Sequence, residues 1–189
     1  MSFSESLLHE FDNEMATARR LLERVPEADT AWKPHPKSMP LGYLAMHLAT
    51  LPGWMVMIFG QSELDFNPPG GPQFKVPDFT TTANLLEVFD KSVADAHAAL
   101  VAGTGADPME PWTLKSAEQV LFTMPRAAVA RTFCMNHFIH HRGQLSVYLR
   151  LRDVPLPSTY GPSADTAAEA AADSLKRHGD ALVDGSGSR

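Results

Sequence analysis

The stretch RAAVARTFCMNHFIHHRGQLSVYLRLR, residues 126–152, contains no proline and spaces its apolar positions by threes and fours. Val129, Phe133, His137, His141, Leu145 and Tyr148 fall on one face, which predicts one unbroken amphipathic helix from Pro125 to Arg152. Proline suits the first turn, and Arg150 and Arg152 suit the negative end of the helix dipole. At ~1.5 Å per residue such a helix is roughly 42 Å long, and its apolar face needs partners of similar length.

The fifteen prolines locate those partners by their absence, because proline is costly inside a helix. Residues 1–25 carry Leu7, Leu8, Phe11, Met15, Ala18, Leu22 and Val25 at helical spacing, with Ser2 and Glu5 at capping-box spacing ahead of them. A second helix is expected after Ser38 as N-cap, with Pro40 in its first turn. Its stripe is Leu41, Leu44, Leu48, Leu51 and Met55, and Pro52-Gly53 should kink it. A third runs from about Thr82 to Val101, with Leu85, Leu86, Phe89, Val93, Ala96 and Leu100 on one face and Gly103 and Gly105 as stop signals. Four such stripes bury one another most simply in an all-α four-helix bundle spanning residues 1–165. No run shows sustained period-2 alternation. Trp112 to Met124 reads as a short hairpin or an irregular crossover. The long loop between helices 2 and 3, residues 60–79, offers Phe66, Phe74 and Phe79 as a roof over a site. Residues 166–189 form an extension, with an Ala-rich segment at 164–178 that is either helical or disordered and a tail at 180–189 expected to be mobile.

Composition narrows the function classes. The 189 residues carry a net charge of −6, which argues against a nucleic-acid binder working through a basic face. No apolar run is expected to reach the ~18 residues a membrane span needs. The polar, acidic start MSFSESLLHEFDNE does not read as a signal peptide. A single cysteine, Cys134, excludes Cys-rich zinc sites and suits a reducing cytoplasm. Against it stand eight histidines.

Three of them, His137, His140 and His141, lie within five residues. His137 and His141 are ~40° apart and one turn up, so two imidazoles reach toward one ion, while His140 diverges. HxxxH alone does not specify a metal site. His47, beside the apolar stripe of the second helix, supplies a third imidazole and makes a His₃ set with open positions, the kind found at catalytic metals. Phe138 stands where a zincin has glutamate, so the metalloprotease reading fails. From Arg126 to Arg152 there are five arginines and no Asp or Glu. The arginines either draw an anionic substrate or pair with acidic neighbours, and Arg142 is the best functional candidate among them. Cys134, one turn before His137, is a ligand, a nucleophile or an inert buried thiol. No Gly-rich phosphate loop and no G-x-S-x-G elbow occur.

The blocks WKPHPKSMPLGYLAMHLATLPGW (32–54), WTLKSAEQVLFTMPR (112–126) and NHFIHHRGQLSVYLRLRDVPLPSTYGPSAD (136–165) resemble the DinB-like superfamily of bacterial four-helix-bundle proteins, over about residues 5–165. The resemblance implies helices running up-down-down-up, a homodimer, and one divalent metal ion, nickel, zinc or iron. The ligands it implies are His47, His137 and His141. Activities it implies include transferases that move a low-molecular-weight thiol onto an electrophile and thiol-dependent isomerases. The leading expectation is a thiol S-transferase acting on a small-molecule substrate, with Arg142, Gln144 and Tyr160 as candidates to hold the ligands or support them from behind. A metal-dependent hydrolase and a non-catalytic metal or small-ligand binding protein of a stress response are the alternatives.

Overall fold

Ser2 opens the first helix as its spacing predicts: its hydroxyl accepts from the Glu5 amide (3.2 Å), and the Glu5 carboxylate accepts from the Ser2 amide (2.6 Å). In the computed structural model, which describes residues 2–71, 73–117 and 119–167, helix α1 spans Phe3–Leu22 and buries Leu7, Phe11, Met15, Ala18 and Leu22. Helix α2 covers Leu41–Thr50, a 3₁₀ turn covers Leu51–Gly53, and α3 covers Trp54–Gly60, so the predicted bend falls at Pro52-Gly53. Helix α4 covers Thr82–Ala102, capped by the Thr81 hydroxyl, which accepts from the Asn84 amide (3.1 Å).

Ser38 is not the cap of α2. The helix follows Pro40 directly, and its first amides find backbone acceptors instead. Leu41 donates to the Trp32 carbonyl (2.8 Å) and Gly42 to the Thr30 carbonyl (2.9 Å). This docking explains Gly42: a Cβ there would lie 2.8 Å from the Thr30 Cβ and 3.2 Å from the Phe79 Cβ. Gly42→Ala should therefore destabilise by about 1–3 kcal/mol through overpacking, although alanine is the better helix former. A urea midpoint at or above that of the wild type would contradict this.

The all-α expectation needs correction. Pro111–Ser116 (β2) and Gln119–Pro125 (β3) pair antiparallel, and Glu63–Asp65 (β1), from within the expected loop, pairs parallel with β2, giving a sheet of order β1-β2-β3. The chain is mostly helical with this small sheet. Alternation is masked because β3 is largely exposed and the pairing slips at Leu114/Lys115. The membrane reading also needs correction. Leu41–Gly60 carries no charged side chain and is 20 residues long with mean hydropathy 1.4, long and apolar enough to span. It is the bent α2–α3 segment, 61% buried against the other helices, and its hydropathy reflects that burial.

The fourth predicted helix runs where its spacing puts it, but it is not regular α throughout. It divides into α5 (Arg126–Val129), a π-helical segment (Ala130–Asn136) and α6 (His137–Leu151). The wider π turn takes both Cys134 and Met135 into the core. The helix ends with Asp153 in the left-handed region (φ 57°), where Val154 donates to the Leu149 carbonyl (3.0 Å) and Asp153 to the Arg150 carbonyl (3.1 Å). All five arginines of 126–152 pair with carboxylates: Arg126 with Glu110, Arg131 with Glu10, Arg142 with Glu14, Arg150 with Asp165 and Arg152 with Asp29. Residues 164–167 form a helical turn. The remaining expectations for 168–189 lie outside the described residues.

Candidate metal centre

Helices α2 and α6 pack against each other, and the seam between them carries His47, His137 and His141. The π segment ends at Asn136, so His137 opens α6 and His141 follows one regular turn later. His137 Nε2 lies 3.4 Å from His47 Nε2 and 2.8 Å from His141 Nε2. The three ligand atoms all fall within 4.8 Å of one another, a group that could hold a metal ion. His141 is buried, while His47 and His137 are half-buried. His140 is exposed, its ring edge-on to that of His141, and stands outside the group.

The protons test whether a cation fits. His141 Nδ1 faces the Gln144 side-chain oxygen at 2.7 Å, an acceptor, so Nδ1 carries the proton and Nε2 presents a lone pair. That lone pair meets His137 Nε2, which also faces His47 Nε2. A neutral imidazole has one N–H, so hydrogen bonds alone cannot satisfy three converging ring nitrogens. His47 Nδ1 is buried without a partner. Two nitrogens each ~2.0–2.1 Å from one ion lie about 2.9–3.4 Å apart at angles between 90° and tetrahedral, close to the spacings seen here. The donor set fits a divalent ion.

Burial keeps the imidazoles unprotonated. Desolvation, then the neighbouring His141 and His137, push His47 down to about 4. Desolvation also lowers His137, opposed by a hydrogen bond to the Phe133 backbone, and lowers His141, opposed by the bond to Gln144. A folded-state pKa below the unfolded one means the unfolded chain binds the proton first. The metal-free protein should therefore lose stability as pH falls from about 6.5 towards 4, with no further loss from His47 below that. Thermal melts in chelator across this range check it, and His47→Gln should flatten the fall.

The other candidates separate. Gln144 joins the histidines through His141. Arg142 and Tyr160 do not: Arg142 pairs with Glu14 of α1, its second amino group donates to the Tyr160 hydroxyl (2.6 Å), and that hydroxyl donates to the other Glu14 oxygen (2.9 Å). A cavity of about 240 Å³ borders Tyr160, with Leu21, Ser146 and Ser163 in its wall and no histidine of the triad. Cys134 is fully buried and its thiol is pushed up to about 12 by desolvation, which makes it the inert alternative. Of the three loop phenylalanines, Phe74 packs on Trp54 of α3 (6.1 Å between centroids), Phe79 packs at Gly42, and the Phe66 amide donates to the Lys115 carbonyl at the sheet. Sequence reading missed Tyr43, whose ring stacks on His47 (6.3 Å, 10°), and Glu14. Tyr43 precedes His47 by one turn, a spacing that could have found it.

A family model described as the DinB superfamily matches residues 10–145. The fold is similar to a DinB-like protein of Bacillus cereus ATCC 10987 (22% identity, TM-score 0.62, covering 82% of this chain and 95% of that one). It is also similar to a DinB-like protein of Bacillus subtilis (18% identity, TM-score 0.64, covering 84% and 99%). No curated protein matches the sequence.

Proposed function

The chain belongs to the DinB superfamily, and from that premise we propose that it is a divalent-metal-dependent thiol S-transferase, joining a low-molecular-weight thiol to a small electrophile. The observation that carries the reading is the convergence of three neutral imidazoles with no carboxylate or thiol among them. His47, His137 and His141 would hold the ion, nickel or zinc before iron. Three neutral ligands leave the ion's double charge intact, so that a thiol beside it would be acidified into a nucleophile near neutral pH.

The chain's own residues prepare that chemistry. Gln144 fixes the His141 tautomer, and the Phe133 backbone holds the His137 ring. Burial keeps all three imidazoles deprotonated, so ion binding competes with few protons at pH 7. The inert Cys134 leaves the reacting sulfur to come from the substrate. Arg142 and Tyr160 are positioning residues in this reading, pinning the His141 turn of α6 to α1 through Glu14. An up-down-down-up helix order, a homodimer and a cytoplasmic setting belong to the same proposal.

Purified protein loaded with nickel or zinc, given a panel of thiols and electrophiles, should consume thiol and electrophile in equal amounts, and chelation should stop it. Loss of electrophile without thiol would replace this reading with a hydrolase. No turnover with any thiol, with tight retention of the ion, would replace it with a binding protein. Gln144→Leu should weaken metal affinity about 10–100-fold while the fold persists. Unchanged affinity by competition with a chromogenic chelator would remove Gln144 from the site.

A further inference from the structure

The three imidazoles are not held alike. His141 Nδ1 meets the Gln144 side-chain oxygen at 2.7 Å, and the His137 ring bonds to the Phe133 backbone. His47 presents Nε2 to His137, and its other nitrogen, Nδ1, is buried without a partner. A ligating imidazole ordinarily donates its outer N–H to an acceptor, and that bond fixes how the ring is turned. His47 lacks the bond, so its Nε2 has to be aimed by packing.

Helix geometry supplies the packing group. Side chains four residues apart lie one above the other on a helix, and Tyr43 and His47 both belong to α2. Their rings are nearly parallel, 10° apart, with centroids at 6.3 Å, within the range of an offset stack. The other rings against His47 are the ligands themselves, His137 inclined at 59° and His141 at 83°. Among the described residues, Tyr43 is therefore the one aromatic ring outside the triad that meets His47. It is 46% exposed and contributes little to the core, so its truncation should spare the fold.

We propose that Tyr43 is a positioning residue for the ion. Its ring holds the His47 imidazole in the rotation that aims Nε2 at the other two histidines, in place of the hydrogen bond that Nδ1 lacks. This role presupposes the three-histidine ion site and does not depend on which reaction the ion serves. Cobalt(II) is the probe, because its visible absorption reports ligand geometry. Full-length Tyr43→Ala should bind cobalt at least tenfold more weakly than the wild type and show altered visible bands at saturation. Tyr43→Phe, which keeps the ring, should match the wild type in both. In chelator, the His47 ring-proton resonances, identified by their loss in His47→Gln, should move in Tyr43→Ala and stay close to the wild-type values in Tyr43→Phe, which reads the stack without an ion. Unchanged cobalt affinity in Tyr43→Ala, or unmoved His47 resonances, overturns the role and leaves the ion site standing. A loss as large in Tyr43→Phe also overturns it, by assigning the effect to the hydroxyl. A wild type that binds no cobalt ends the metal reading and this role with it.

Discussion

Alanine at His137 is expected to take bound nickel or zinc from about one ion per chain to background, measured by elemental analysis of protein purified without chelator. His137 is the most sensitive of the three because its Nε2 stands between the other two, 3.4 Å from His47 and 2.8 Å from His141. Losing it removes a ligand and leaves the remaining pair without the bridging position. Loss of an outer partner of a ligand already costs about 10–100-fold in affinity, so loss of the ligand itself should exceed that. His140→Ala is the matched control, since His140 is exposed and outside the group. Stability supplies a second readout. A ligand at 100 times its Kd stabilises the native state by about 2.7 kcal/mol. For a chain of this length that is about 5–11 °C in Tm, which chelator should remove from the wild type and not from His137→Ala. Equal metal content in the two proteins, or equal Tm shifts, would end the metal assignment.

The residues that reading from sequence placed correctly share one property: their information is local. The His137–His141 spacing, the Ser2–Glu5 capping box and the Pro52-Gly53 bend need only a few neighbouring residues, and each appears where its spacing puts it. The π segment shows the limit. Ala130–Asn136 contains no proline or glycine to mark it, and what sets it is the packing of Cys134 and Met135 together into a core built by other helices. Ser38 failed as a cap for a related reason, because the acceptors for α2 come from Trp32 and Thr30, brought there by a turn. The parallel pairing of Glu63–Asp65 with Thr113–Lys115 joins segments some fifty residues apart and leaves no short-range signature. Of the residues missed, Tyr43 left a trace in its spacing to His47, and Glu14 left a plainer one: a carboxylate between Phe11, Met15 and Ala18 on an otherwise apolar stripe demands a buried cation.

That cation is Arg142, and Glu14→Ala is expected to cost about 3–5 kcal/mol, because it strands a guanidinium that is only 3% exposed. In Tm the loss should be about 6–20 °C. Tyr160→Phe should cost less, about 1–3 kcal/mol, since the Glu14–Arg142 pair survives it and only the hydroxyl's two bonds are lost. The double change Glu14→Leu with Arg142→Met removes both charges together, so nothing is stranded, and stability should return to near the wild-type value or above. A loss under about 1 kcal/mol for Glu14→Ala would mean that water reaches Arg142 and the pair is a surface one. The same double variant decides what Arg142 is for. If it only pins the His141 turn of α6 to α1, the folded double variant keeps its metal and its KM for every substrate. If the guanidinium also touches substrate, metal content holds while KM rises, a split that a purely structural residue does not produce.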